Sequence, residues 1–185
     1  MSLTPTKAVA MGFNAPDFNL ADARTGNPVS LKDIKGDNGT LVMFICNHCP
    51  YVKHVIQELV NIGNDYIPKG IGIVAINSND VEKYPDDHPD KMKTLAEELN
   101  FPFPYLFDEN QEIAKAYDAA CTPDFNLFGA NNKCIYRGQL DGSRPGNDVP
   151  VTGVDLRRVL DQLLNDEKVP EEQIPSIGCN IKWKE

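Results

Sequence analysis

Apolar positions along the chain follow two rhythms. Thr40–Ile45 ("TLVMFI") and Gly70–Asn77 ("GIGIVAIN") are continuous apolar runs rich in β-branched residues, the pattern of strands covered on both faces. Between them Val52, Val55, Ile56, Leu59 and Val60 fall at i, i+3, i+4, i+7 and i+8, the buried stripe of an amphipathic helix. Strand, helix, strand predicts a right-handed crossover and parallel pairing. Met92, Leu95, Ala96 and Leu99 write a second helix, opened by Pro89 and closed before Asn100. A short strand at Pro104–Phe107 and a short helix at Gln111–Tyr117 follow. Pro123–Phe128 and Lys133–Gly138, joined by "GANN", read as an antiparallel hairpin, and Val154–Leu164 as a last amphipathic helix. Upstream, Ala15–Leu20 alternates apolar and polar before the turn residues Thr25–Pro28, which predicts an N-terminal β-hairpin. The sum is an α/β domain, a central mixed sheet with helices on both faces.

Length and charge narrow the function. With 185 residues and no internal linker, one well-cored domain is expected over residues 1–166, with residues 167–185 a tail packing on it. No apolar run approaches the roughly 18–20 residues of a membrane span, and the start lacks a secretory pattern. A membrane is therefore not an expected partner, and a reducing, cytoplasmic location is expected. A net charge of −9, with 18 basic residues and no basic cluster, argues against nucleic acid, whose binding draws on neutralising cations. No glycine-rich phosphate loop precedes a helix, so no organic cofactor is expected.

The chemistry is in the cysteines. Cys46, Cys49, Cys121, Cys134 and Cys179 are odd in number and scattered, unlike a stapling framework. In "FICNHCPYV" Pro50 sets the register. If Cys46 capped the helix, Pro50 would be its fourth residue, deleting a hydrogen bond and crowding the capping carbonyl. With Cys49 as cap, Pro50 takes the favoured first position and pushes Cys49 into the extended conformation a cap needs. The Cys49 sulfur then faces unpaired N–H groups and the positive end of the helix dipole, which favour the thiolate. The dipole alone contributes about 0.3–1 kcal/mol at an exposed site. Further activation is expected from a cation, with His48, Lys53 and Arg144 as candidates. Two other readings stay open: a pair of buried structural thiols, or a metal-sequestering module using Cys46 and Cys49 with His48, Cys121 or Cys179, although no second CxxC or HxxxH supplies the usual partner pair.

The stretch from Ala15 to Pro50, "APDFNLADARTGNPVSLKDIKGDNGTLVMFICNHCP", resembles the N-terminal half of redoxins, the alkyl hydroperoxide reductase and thiol-specific antioxidant group of the thioredoxin superfamily. "CTPDFNLFGANNKCIYRG" resembles the segment that carries a cis-proline beside the active cysteine, and "NHCPYVKH" with "PSIGCNIKWK" resembles a bacterial thioredoxin-like subgroup. The resemblance spans about Ala15–Leu164. It implies a thioredoxin-like, peroxiredoxin-type three-layer α/β/α fold and a thiol oxidoreductase or peroxidase serving redox homeostasis. Cys49 matches the attacking cysteine. Val52 stands where thioredoxins place their second cysteine, and Cys46 stands where peroxiredoxins place a threonine or serine, so no hydroxyl is expected there to orient a peroxide. Pro123 matches the cis-proline, which would bring Cys121 close to Cys49. Cys46 or Cys121 is then the expected resolving thiol, and Arg144 the arginine that holds the thiolate. A small peroxide or protein disulfide as substrate, an external thiol as reductant and room for a homodimer complete the expectation.

The remaining groups carry blander readings. Cys134 alternates with Ile135 as a core strand residue, and the Cys179 tail with Trp183 either folds back toward the site or, on the plainer reading, covers a sheet edge or core surface. The acidic segment "NSNDVEKYPDDHPDKM" around His88 reads as a solvated loop.

Overall fold

The structure, a computed structural model, describes residues 3–185. In chain order the strands and helices are β1 (Leu3–Pro5), β2 (Asn19–Asp22), β3 (Pro28–Ser30), α1 (Leu31–Ile34), β4 (Gly39–Phe44), α2 (Pro50–Tyr66), β5 (Ile71–Asn77), α3 (Pro89–Glu98), β6 (Tyr105–Phe107), α4 (Glu112–Ala116), β7 (Cys121–Thr122), β8 (Asp124–Gly129), β9 (Cys134–Gly138), α5 (Val154–Leu164) and β10 (Ile177–Asn180). Seven strands form one mixed sheet in the order β3-β2-β6-β5-β4-β8-β9. The β4–β5 and β5–β6 pairs are parallel and the rest antiparallel.

The two continuous apolar runs lie side by side at the centre. Because side chains alternate across a strand, Leu41 and Met43 pack with Val52, Leu59, Met92, Leu156 and Leu160 on one face. Val42 and Phe44 pack with Leu31, Ala114, Tyr117 and Phe128 on the other. Helices therefore cover both faces, giving three layers. Gly72 interrupts the second run for a steric reason: a Cβ there would lie 1.9 Å from the Ile34 carbonyl oxygen, so only glycine lets the α1 end close over β5.

The N-terminal hairpin begins later than the alternation suggests. β2 pairs β3 with Leu20 opposite Val29, but the preceding residues pair elsewhere. Asn14 bridges Lys133, and the Ala15 amide donates to the Asn132 carbonyl at 2.9 Å. Pro16, with no N–H to give, separates the two pairings.

The tail is part of a second sheet. β10 lies between β1 and β7, antiparallel to both, with Cys179 opposite Leu3 on one side and Thr122 on the other. Beyond it the Lys182 amide donates to Asn79 Oδ1 and the Lys184 amide to Gln111 Oε1, each at 2.8 Å. Trp183 follows, 39% exposed, with Lys115 Nζ 5.8 Å from its ring centroid.

Candidate active site

Cys49 is the N-cap of α2, extended at φ −67° and ψ 123°, with Pro50 in the first turn. This is the register that the proline demands. Its sulfur is fully buried and lies 3.3 Å from the Thr122 carbonyl oxygen, to which the thiol form donates. The Thr122–Pro123 peptide is cis, so Pro123 sits beside the cysteine as expected. Cys46 Sγ lies 3.4 Å from Thr122 Oγ1. Thr122 thus addresses both sulfurs, one through its backbone and one through its hydroxyl. All five cysteines are thiols rather than disulfides.

The Cys49 thiol is held far below its ordinary value, at about 4. A hydrogen bond from the Cys46 side chain is the largest cause; burial opposes it, and the Cys179 side chain and the Val52 and Cys179 amides assist. The Val52 amide biases the ionisation without closing a cap hydrogen bond to the sulfur. Cys46 pays the counterpart: its bond to Cys49, its burial and the charge of Asp87 raise it well above the ordinary thiol range. Burial first, and then the bond to Cys49, pushes Cys179 up to about 12. One anion is therefore held by two protonated neighbours.

This differs from the expected cation. His48 turns away: its Nδ1 pairs with Asp87 Oδ2 at 2.5 Å and its ring stacks on Tyr84 with centroids 5.2 Å apart. Arg144 is not brought onto Cys49. Its terminal nitrogens donate to the Asp141 and Ser143 carbonyls and to Gln139 Oε1 at 2.6–2.8 Å. Arg144 instead walls a crevice of about 20 Å³ beside Pro123, shared with Tyr51, His54 and Ile177. Cys121 is buried, with its sulfur directed to Thr6 Oγ1 at 3.8 Å and the Pro123 carbonyl at 3.7 Å. Burial and Asp124 raise it, and it senses Cys49 only through that group's charge. Cys179, whose tail the sequence left between folding back toward the site and covering a sheet edge, reaches Cys49 alongside Cys46. Cys134 is buried in β9, as its alternation implies.

Two further residues were not legible. Asp87, in the acidic segment read as solvated, is fully buried. Its Oδ1 accepts the Asn47 and His48 amides at 2.7 and 3.0 Å, and its Oδ2 accepts Asn79 Nδ2 at 2.8 Å. Burial pushes its carboxyl up, but the bonds from His48 and Asn79 outweigh this and leave it below the usual range. It pins the loop carrying Cys46 to Cys49. Thr122 was the other, seen only as the residue before Pro123; it supplies near Cys46 the hydroxyl that the motif lacks at position 46.

Among the described residues, Cys46, His48 and Asp87 offer ligand atoms within 4.8 Å of one another. The Asp87 oxygens are already committed to four N–H donors, and the Cys46 sulfur is held protonated. A metal requires the thiolate and open carboxylate lone pairs, so this set fits one poorly. Among the described residues, no helix is long and apolar enough to cross a membrane.

Residues 11–139 match the family model described as AhpC/TSA family. The chain belongs to the AhpC/TSA family. A peroxiredoxin-like protein of Mycobacterium tuberculosis is 30% identical over 118 residues, 63% of this chain and 69% of its own. The thiol-disulfide oxidoreductase ResA of Geobacillus kaustophilus is 29% identical over 133 residues, 70% of each chain. A crystal structure of a conserved Geobacillus kaustophilus protein superposes with a TM-score of 0.97 at 59% identity, over all of this chain and 97% of that one, so the C-terminal strand belongs to the shared architecture. This AhpC/TSA member has the thioredoxin-like fold of its more distant structural neighbours.

Proposed function

We propose that this protein is a thiol–disulfide oxidoreductase in which Cys49 is the nucleophile. The observation that carries the reading is the position of Cys49 at a helix N-terminus with its sulfur hydrogen-bonded by the side chains of Cys46 and Cys179, an arrangement that favours the thiolate. Exchange needs an ionised attacking sulfur with a second thiol within reach, and both conditions meet here. The Cys49 anion attacks one sulfur of a substrate disulfide, and the other substrate sulfur leaves as a thiolate. A second protein thiol then displaces the remaining substrate sulfur, leaving a protein disulfide that an external thiol reduces. Pro123 and the small crevice beside it form the side on which the substrate settles.

Peroxide reduction is the second reading, favoured by the Thr122 hydroxyl close to Cys46. There Cys49 would become a sulfenic acid as the peroxide O–O bond breaks. Stopped-flow mixing of the reduced protein with oxidised glutathione, and separately with hydrogen peroxide, decides between them. The expected outcome is loss of the Cys49 thiolate with the disulfide and a peroxide rate no greater than that of a simple thiolate. Rapid, saturating peroxide consumption would replace the first reading with the second.

A further inference from the structure

The tail strand is laid across the active site by its backbone. In the β10–β7 register Cys179 faces Thr122, whose carbonyl touches Cys49 Sγ. Gly178 makes the approach feasible: a Cβ there would lie 1.9 Å from the Thr122 carbonyl oxygen and 3.1 Å from Pro123 N. Ser176 Oγ donates to the Pro123 carbonyl at 2.7 Å, and the Ile181 amide to the Ala120 carbonyl at 3.0 Å. The strand is thus fastened on both sides of Cys179, which is 4% exposed and hydrogen-bonded to Cys49.

We propose that Cys179 is the resolving thiol of Cys49, so that the oxidised enzyme carries a Cys49–Cys179 disulfide joining the C-terminal strand to the start of α2. This rests on Cys49 being the nucleophile, as proposed above. In the mixed disulfide between Cys49 and substrate, the Cys179 sulfur attacks Cys49 Sγ. The bond from Cys49 to the substrate sulfur breaks, that sulfur leaves with the bonding pair, and the proton lost by Cys179 is taken up by the departing thiolate. One substrate disulfide becomes two substrate thiols, and two protein thiols become one disulfide.

Electrostatics separates Cys179 from the other thiols. Attack requires the thiolate. The Cys46 thiolate would form against the buried Asp87 carboxylate, which opposes it. The Cys179 thiolate would form near the Lys182 ammonium, which favours it. Cys46 also sits in a loop whose Asn47 and His48 amides are both gripped by one carboxylate oxygen. Drawing its sulfur to the roughly 2.05 Å of a disulfide would work against that grip. Cys121 hydrogen-bonds elsewhere.

The test is reaction of the reduced protein with one equivalent of oxidised glutathione, alkylation of the remaining thiols and non-reducing peptide mapping. The expected product is a Cys49–Cys179 linked peptide in the wild type and in C46S. C179S, whose hydroxyl retains the hydrogen bond, should instead stop at a Cys49–glutathione adduct with loss of the second released glutathione. A Cys46–Cys49 peptide, a Cys49–glutathione adduct that persists in the wild type, or closure of C179S at the wild-type rate would overturn the assignment of Cys179 alone. A Cys49 that takes up no glutathione while the fold is intact would overturn the nucleophile assignment, and this one with it.

Discussion

A sulfur anion stabilised by neutral hydrogen-bond donors differs measurably from one stabilised by a cation. Salt screens a Coulombic partner but not a thiol donor at contact. Ultraviolet thiolate absorbance should therefore show one thiolate per chain at pH 7, titrating near pH 4 with little change on adding salt, and absent in C49S. Removing the Cys46 donor in C46A deletes a hydrogen bond to a charge worth about 1.5–3 kcal/mol, so the titration should move up by about 1–2 units. C46S, which keeps a donor, should recover most of it. The same ionisation is linked to folding. The folded value lies below the unfolded one, ordinarily 9.0, so the unfolded chain binds the extra proton between those limits. The contribution of Cys49 to stability is complete above pH 9 and is lost as the pH falls toward 4. Urea titrations of the wild type and C49S across that window should diverge with rising pH.

At the scale of elements, the site is a junction of the β4–α2 turn, the loop before α3 and the two strands β7 and β10. Asp87 ties the first two together. D87A removes the acceptor from the part-buried amides of Asn47 and His48 and from the buried Asn79 side chain, at about 1–3 kcal/mol for a fully buried unsatisfied group. We expect a loss of about 2–4 kcal/mol in urea denaturation, partly recovered by D87N, whose carbonyl oxygen can still accept the two amides. The elements themselves were legible because each has a local cause. Pro50 admits only one helix start, the two β-branched runs have no polar face to turn outward, and Val154–Leu164 carries its stripe without interruption. What joins the elements was not legible. Asp87 sits among acidic residues that pattern reading assigns to solvent, and only the fold brings two amides and an imidazole to its oxygens. Cys179 was visible as a thiol in a tail, but nothing in its own neighbours says which sulfur it meets. Gly178 is the local trace of that meeting, legible once Thr122 is known to lie against it. G178A should push β10 off β7, raise the Cys49 titration and speed its alkylation by iodoacetamide.

For the molecule as a whole, stability and reactivity are divided between two sheets. The seven-stranded sheet has its central strands buried on both faces, so amide protons of Leu41–Phe44 should exchange only through global unfolding. The three-stranded sheet holds β1 and β10 by few pairings and should open at a lower free energy. Because Cys46, Cys49 and Cys179 are all buried in the reduced state, a bulky disulfide is expected to react only through that opening. Hydrogen exchange of the β10 amides and the rate of reaction with a bulky aromatic disulfide should then share one opening equilibrium. The chain also brings its own optical probe of this event. Trp183, its single indole, lies three residues beyond β10 under Lys115. A tail that lifts would move this ring into water and shift its emission to the red, while the far-ultraviolet circular dichroism of the main sheet stayed unchanged, so any opening of β10 can be tested in real time without a label.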